Sequence, residues 1–284
     1  MKMRLHKKIG RTIRQKFRNS ILSKHGDSVL ANTWNGQLLV EAGDFSVGRK
    51  LLDNGAYDQA AVEWLSECVS HQADSIVIVG SHIGALLVPL SRVSKNITGF
   101  EPDAMNFKLL SKNIILNEVH NAKVINAAVG KEPGIVTMVR NTLNTGNTSV
   151  GTGTDDASEG VEVVTLDNFF AGTPVDLMVM DVEGYEKHAL EGGIRTLEST
   201  ERLYVEFAPE QLMEHGTDPK GLLQLLSQSF TLLYLLEDHD VVCTTSEAGC
   251  RDIAQNMWSR GYLKNLLFTK TKLPEKACSV PANP

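Results

Sequence analysis

No stretch of this 284-residue chain reaches the roughly 20 consecutive apolar residues of a membrane-spanning helix. The first residues also lack the apolar segment of a secretory signal. Cysteine is scarce: Cys68, Cys243, Cys250 and Cys278 stand far apart, without CxxC or Cys/His spacing, so neither a zinc site nor a disulfide framework is indicated. The expectation is a soluble protein with reduced thiols in the cytoplasm. Two phosphate signatures are missing as well. There is no G-x-G-x-x-G fingerprint of dinucleotide enzymes and no glycine-rich loop ending in Lys-Ser/Thr, which argues against NAD and ATP. Basic charge is scarce outside one place. Residues 1–24 hold nine Lys or Arg and no acid, and the other 260 residues carry a net charge of −15, so the body has no electrostatic footprint for nucleic acid.

What is present begins with that basic segment. Leu5, Ile9, Ile13, Phe17 and Ile21 recur every four residues among Lys7, Lys8, Arg11, Arg14 and Arg18, predicting a basic amphipathic helix. Its apolar stripe could pack on the body, or lie on an anionic membrane surface or an acidic partner. We divide the chain into this arm (1–35), a helical cap (36–74) with a strand at Leu38–Val40 and a helix over 57–70, a main domain (75–272) and a loose tail (273–284). Hydrophobic residues make up 42% of the composition, enough for a full core without disulfide or metal staples.

From Ser75 onward strands and helices alternate: Ile76–Val79, a helix over Ile83–Val93, Ile97–Phe100, a helix over Asp103–Leu116, and Val124–Val129. That alternation predicts an α/β fold with a doubly wound, mostly parallel Rossmann-like sheet. Gly134–Arg140 and Val161–Thr165 flank a Gly/Thr/Asn-rich loop at 141–160. Later strands at Phe230–Leu236, Val241–Thr244 and Leu263–Thr269 are expected to give the sheet an antiparallel edge.

Ligands of such sheets bind beyond the carboxyl ends of the strands. Three strand ends carry suggestive residues. The first runs into Gly80-Ser-His-Ile-Gly84, where the backbone can turn tightly against a ligand. The second ends at Glu101-Pro102, a carboxylate able to accept both ribose hydroxyls, with Pro102 suited to a helix start. The fourth, Leu177–Met180, is apolar throughout and breaks off into Asp181, Glu183 and Gly184. Together they describe an adenosyl site without a phosphate cradle.

These residues belong to a series: Gly80-x-x-Ile-Gly84; Phe100-Glu-Pro-Asp-x-x-Asn-Phe107 with Leu110-x-x-Asn113; Ala127-Ala-Val-Gly130; Val164-Thr-Leu-Asp167; and Met180-Asp-Val-Glu-Gly-x-Glu186. In that order, over about residues 75–269, the chain resembles the FkbM family of S-adenosylmethionine-dependent methyltransferases. The resemblance implies a class I methyltransferase sheet and a cofactor site drawn from Gly80, Ser81, His82, Gly84, Glu101, Pro102, Asn106, Ala127, Ala128 and Asp181. It also implies methyl transfer to a hydroxyl of a carbohydrate, glycolipid or secondary metabolite. The family usually reads Asp-Val-Gly-Ala-Asn-Ile-Gly in its first motif, where this chain has Ile78 and His82 for the Asp and the Asn. That region is expected to face the methionine end of the cofactor.

For chemistry, Asp181 is expected at the reacting centre, Glu183 as substrate contact or proton acceptor, and Glu206 as a third carboxylate one strand over. Three hard oxygen ligands could also hold one divalent cation such as Mg²⁺. His188 is a second candidate base or a plain helix-surface residue, and Asp167 is expected to cap a helix over Asn168–Ala171. The alternative to an active enzyme is a cofactor-binding scaffold of the same fold that has lost catalysis.

Overall fold

The computed structural model describes residues 28–44, 46–139, 149–150, 160–235 and 264–278. The predicted basic helix of residues 1–24, the Val241–Thr244 strand and most of the 141–160 loop lie outside the described residues.

The chain opens with β1 (Ser28–Thr33) and β2 (Gly36–Glu41), then α1 (Val47–Asn54) and α2 (Gln59–Cys68). The core follows with β3 (Ala73–Val79), one helical turn α3 (Leu87–Leu90), β4 (Ser94–Phe100), α4 (Ala104–Leu116) and β5 (Ala122–Ile125). A small second sheet holds β6 (Ala128–Val129), β7 (Gly134–Val139), β8 (Ser149–Val150) and β9 (Gly160–Val164). After α5 (Leu166–Phe170) the main sheet resumes with β10 (Leu177–Met180), α6 (Glu186–Glu191), α7 (Ile194–Glu198), β11 (Arg202–Phe207), α8 (Pro209–Glu214) and α9 (Pro219–Ser229). It closes with β12 (Leu232–Leu235), β13 (Lys264–Thr269) and α10 (Glu275–Cys278).

The main sheet has the order β12-β13-β11-β10-β3-β4-β5. β5, β4, β3, β10 and β11 are parallel neighbours, as the alternation of apolar strands and helices predicts. β13 inserts between β11 and β12 and runs antiparallel to both, so the reversed strand lies one in from the edge rather than on it. β10 is buried along its whole length because helices cover both faces of the sheet, and apolar side chains pack on each side. The direction of winding changes between β3 and β10, which opens a crevice at their carboxyl ends.

Several sequence expectations are corrected. The strand from Ser28 pairs with β2 from Ser28↔Glu41 to Thr33↔Gly36, so residues 28–35 belong to a hairpin and not to an arm. The helix expected over Ile83–Val93 shrinks to α3 and a following 3₁₀ turn at Ser91–Val93. Pro89 has no N–H for the carbonyl of Ala85, which instead accepts from the side chain of Asn35 at 2.8 Å. The strand expected over Val124–Val129 breaks at Asn126, whose amide donates to the carbonyls of Glu101 and Pro102, and its second half joins the small sheet. Thr165, not Asp167, caps α5, accepting from Asn168 N at 3.3 Å. Asp167 instead accepts from Thr196 and Arg195 and locks α5 to α7. The tail is not loose at its start: Leu273 and Ala277 are buried, and the Trp64 indole donates to Ala277 O at 2.9 Å.

The hairpin docks on α4 through two amides at i and i+4. Asn113 exchanges hydrogen bonds with both backbone groups of Leu39, and Asn117 does the same with Gln37. These side chains act as a short strand edge for β2, which explains Asn113 in the second motif.

Candidate active site

A cavity of about 250 Å³ opens at the carboxyl ends of β3, β4, β10 and β11. Gly80, Ser81, His82, Glu101, Pro102, Asn106, Ala127, Ala128, Asp181, Glu183 and Glu206 all line it. Gly84 does not. It takes a left-handed conformation (φ +91°) and packs beside Leu110, so it shapes the turn below the cavity. Ile78, where the family usually has Asp, is 1% exposed and belongs to the core cluster beneath α2; it does not line the cavity either. His82 holds φ +48°, a conformation tolerated by Asn and His far better than by most residues, and its backbone N–H donates to Glu101 Oε2 at 2.8 Å. The exchange of Asn for His therefore keeps the turn.

Glu101 is buried at the end of β4. Its Oε1 accepts from Asp103 N at 3.0 Å and Asn106 Nδ2 at 3.4 Å. Burial outweighs these donors and pushes the carboxyl up to about 7. Asp103 caps α4 by accepting from Met105 N and Asn106 N, which fixes Asn106 beside Glu101.

The acidic end of β10 is built by close backbone contacts. Gly80 (φ +88°) lies directly against the carbonyl oxygen of Asp181, where no Cβ could fit. Glu183 adopts φ +55°, a strained setting for a residue with a side chain, and Gly184 (φ +95°) packs against the backbone of Gln211. Glu186, 1% exposed, secures this turn: its Oε1 accepts from Val182 N and Gly184 N, each at 3.2 Å. Burial pushes Glu186 up to about 7. Its position at the end of the last motif carries no local signal of this role.

Three carboxylates meet here. Asp181, Glu183 and Glu206 each bring an oxygen within 4.8 Å of the others, a spacing compatible with a shared proton or a shared cation. Glu206 is pushed up to about 10 by burial, by the charge of Asp181 and by its hydrogen bond to it, and then by Glu183 and Glu186. It therefore carries the proton and donates it to Asp181. Burial also raises Asp181, opposed by that hydrogen bond. Glu183 is pushed up to about 8 by burial and by the charge of Asp181, although the Gln211 amide donates to its Oε2.

His188 is not part of this group. Its Nε2 contacts His215 O at 3.1 Å and its ring stacks 4.6 Å from Tyr185, so it packs α6 rather than lining the cavity. The cavity is also lined by residues that the sequence does not mark: Ser46, Val47, Lys50 and Tyr57 of the cap, with Gln211 after β11. Only contact in three dimensions brings them here, since neither spacing nor motif marks them.

Residues 79–240, more than half the chain, match the family described as Methyltransferase FkbM domain. Solved structures with similar folds include methyltransferase FkbM from Methylobacillus flagellatus KT, at 18% identity over 69% of this chain and 43% of its own, with a TM-score of 0.42. An rRNA methylase from Streptococcus thermophilus shares 13% identity over 75% of this chain and 95% of its own, with a TM-score of 0.39. Magnesium protoporphyrin IX methyltransferase (ChlM) from Synechocystis PCC 6803, with bound SAM, shares 12% over 75% and 77%, with a TM-score of 0.42. The chain thus spans less than half the length of the Methylobacillus protein. No curated protein matches it.

Proposed function

Because the chain belongs to the FkbM methyltransferase family, we propose that it transfers a methyl group from S-adenosylmethionine to a hydroxyl of a carbohydrate, glycolipid or secondary metabolite. The observation that carries this reading is the three-carboxylate cluster lining a cavity that Glu101 also lines. The cavity residues fit the cofactor. Turns at Gly80 and His82 bring backbone to the cleft, Glu101 retains lone pairs for ribose hydroxyls, and the small side chains of Ala127 and Ala128 leave room for a ring. Among the described residues no helix is long and apolar enough to cross a membrane.

When bound, the cofactor supplies an electrophilic methyl carbon on a sulfonium. The protein's own task is to hold an acceptor oxygen in line with that carbon and to receive its proton. Glu183 is the proton acceptor in this reading. Its pKa of about 8 makes it a stronger base than an ordinary carboxylate, and Asp181 lines the reacting centre beside it. Glu206, protonated, keeps Asp181 in place through their hydrogen bond. A divalent cation is the second reading, favoured by the 4.8 Å grouping of oxygens. Activity that survives chelation with EDTA would eliminate it.

The base assignment has a pH signature. A carboxylate accepts a proton only when ionised, so kcat/KM should rise about tenfold per pH unit below pH 8 and level off above it. S-adenosylhomocysteine release with cell extract as acceptor source measures this. Glu183→Gln should remove the rising limb; a profile unchanged by that substitution would reject Glu183 as the base.

A further inference from the structure

The cavity that holds the carboxylates also carries complementary chemistry. Tyr57 is fixed there by Asn35, which is fully buried: Asn35 Nδ2 donates to Tyr57 O and to Ala85 O, and its Oδ1 accepts from Tyr57 N, all at 2.8 Å. One amide thus ties the cap to the turn that follows β3. Tyr57 lines the same cavity as Asp181, Glu183 and Glu206. Burial first, and then the charges of Asp58, Asp181, Glu206 and Glu183, hold its proton well above the ordinary tyrosine range, so the phenol stays an O–H donor in that cavity. Lys50 Nζ lies 4.8 Å from the centre of its ring and lines the same cavity.

The cavity accordingly presents acceptors, from Asp181 and from Glu183 once it is ionised, and donors, from Tyr57 and Lys50. A hydroxyl satisfies both, since it donates and accepts. An ammonium would only donate, leaving the phenol proton unmatched and meeting Lys50 with like charge. A carboxylate would only accept and would meet the acids with like charge. We infer that Tyr57 is a positioning residue of the acceptor subsite: with Lys50 it holds one hydroxyl of a neutral vicinal polyol, so that the adjacent hydroxyl lies against Asp181 and Glu183.

This rests on the methyl-transfer reading, and the test separates the two. Saturation-transfer NMR is recorded with methyl glucoside, methyl mannoside and methyl galactoside on the full chain saturated with S-adenosylhomocysteine, after calorimetry has measured the affinity for that nucleoside. At least one glycoside should bind the native protein. Tyr57→Phe, which keeps the ring and its packing, should weaken that binding roughly tenfold with unchanged nucleoside affinity, as expected when a buried acceptor loses one donor. Equal glycoside affinity in Tyr57→Phe would overturn the inference and make Tyr57 merely structural. Nucleoside binding with no glycoside binding would overturn the polyol class, and failure of the nucleoside to bind would overturn the methyl-transfer reading itself.

Discussion

Replacing Asp181 with Asn should lower turnover by roughly 10²- to 10⁴-fold without loss of the fold. The substitution is isosteric, and the amide oxygen can still accept the Glu206 proton, so the packing at the end of β10 is kept. What disappears is a negative charge at the centre of the cluster. That charge is the second-largest cause, after burial, holding Glu183 up at about 8. Two consequences separate catalysis from structure. The residual activity of Asp181→Asn should show its pH limb displaced to lower pH, because Glu183 ionises more readily without its neighbour. The circular dichroism spectrum and unfolding midpoint should stay near those of the native chain. Turnover equal to the native value would remove Asp181 from the reacting centre.

The second large effect is on the fold. Gly80→Ala should destabilise the chain by more than about 3 kcal/mol, since it combines a left-handed backbone with a methyl group forced into a carbonyl. At Gly80 the methyl would collide with Asp181 O, a backbone atom that cannot swing aside. Relief would require β3 and β10 to separate where Met180 pairs with Val79 and Asp181 N donates to Val79 O at 3.0 Å. Gly172→Ala provides the comparison. Its φ of +75° is similar but no atom lies within 4 Å, so it should cost only about 1 kcal/mol. Urea unfolding of both variants measures the difference. Similar stabilities would mean that the close crossing of the two strands does not hold the site together.

The parallel sheet was legible because β10 and the second half of β3, Ile76–Val79, are short apolar runs set in an alternation with helical periodicity. The candidate site was legible for the same reason: in such a sheet the residue after each strand is near the ligand, so Gly80, Glu101 and Asp181 could be placed by counting. Features set by contact between distant segments were not legible. Nothing local reveals that Asn35 takes the carbonyl freed by Pro89, or that the same amide holds Tyr57 at the cavity that the carboxylates line. The helix at α3 is shorter than its apolar periodicity suggests because Gly84 is left-handed and Pro89 has no N–H for the carbonyl of Ala85. Glu186 closes the last motif without a role that its position reveals, and only its burial and its two backbone donors mark it as the brace of the turn. The departure at Ile78 seemed to bear on cofactor contact. In the fold it is a core position, and the nearby carboxylates come from β4, β10 and β11 instead.

Calorimetric titration with S-adenosylmethionine, run on the native chain and on Glu101→Gln with NAD as the competing ligand, decides whether the cleft is an adenosyl site. S-adenosylmethionine should bind the native chain, Glu101→Gln should weaken it at least about tenfold through loss of an ionised ribose acceptor, and NAD should give no heat. No heat with S-adenosylmethionine, or binding of NAD in its place, would contradict the adenosyl assignment.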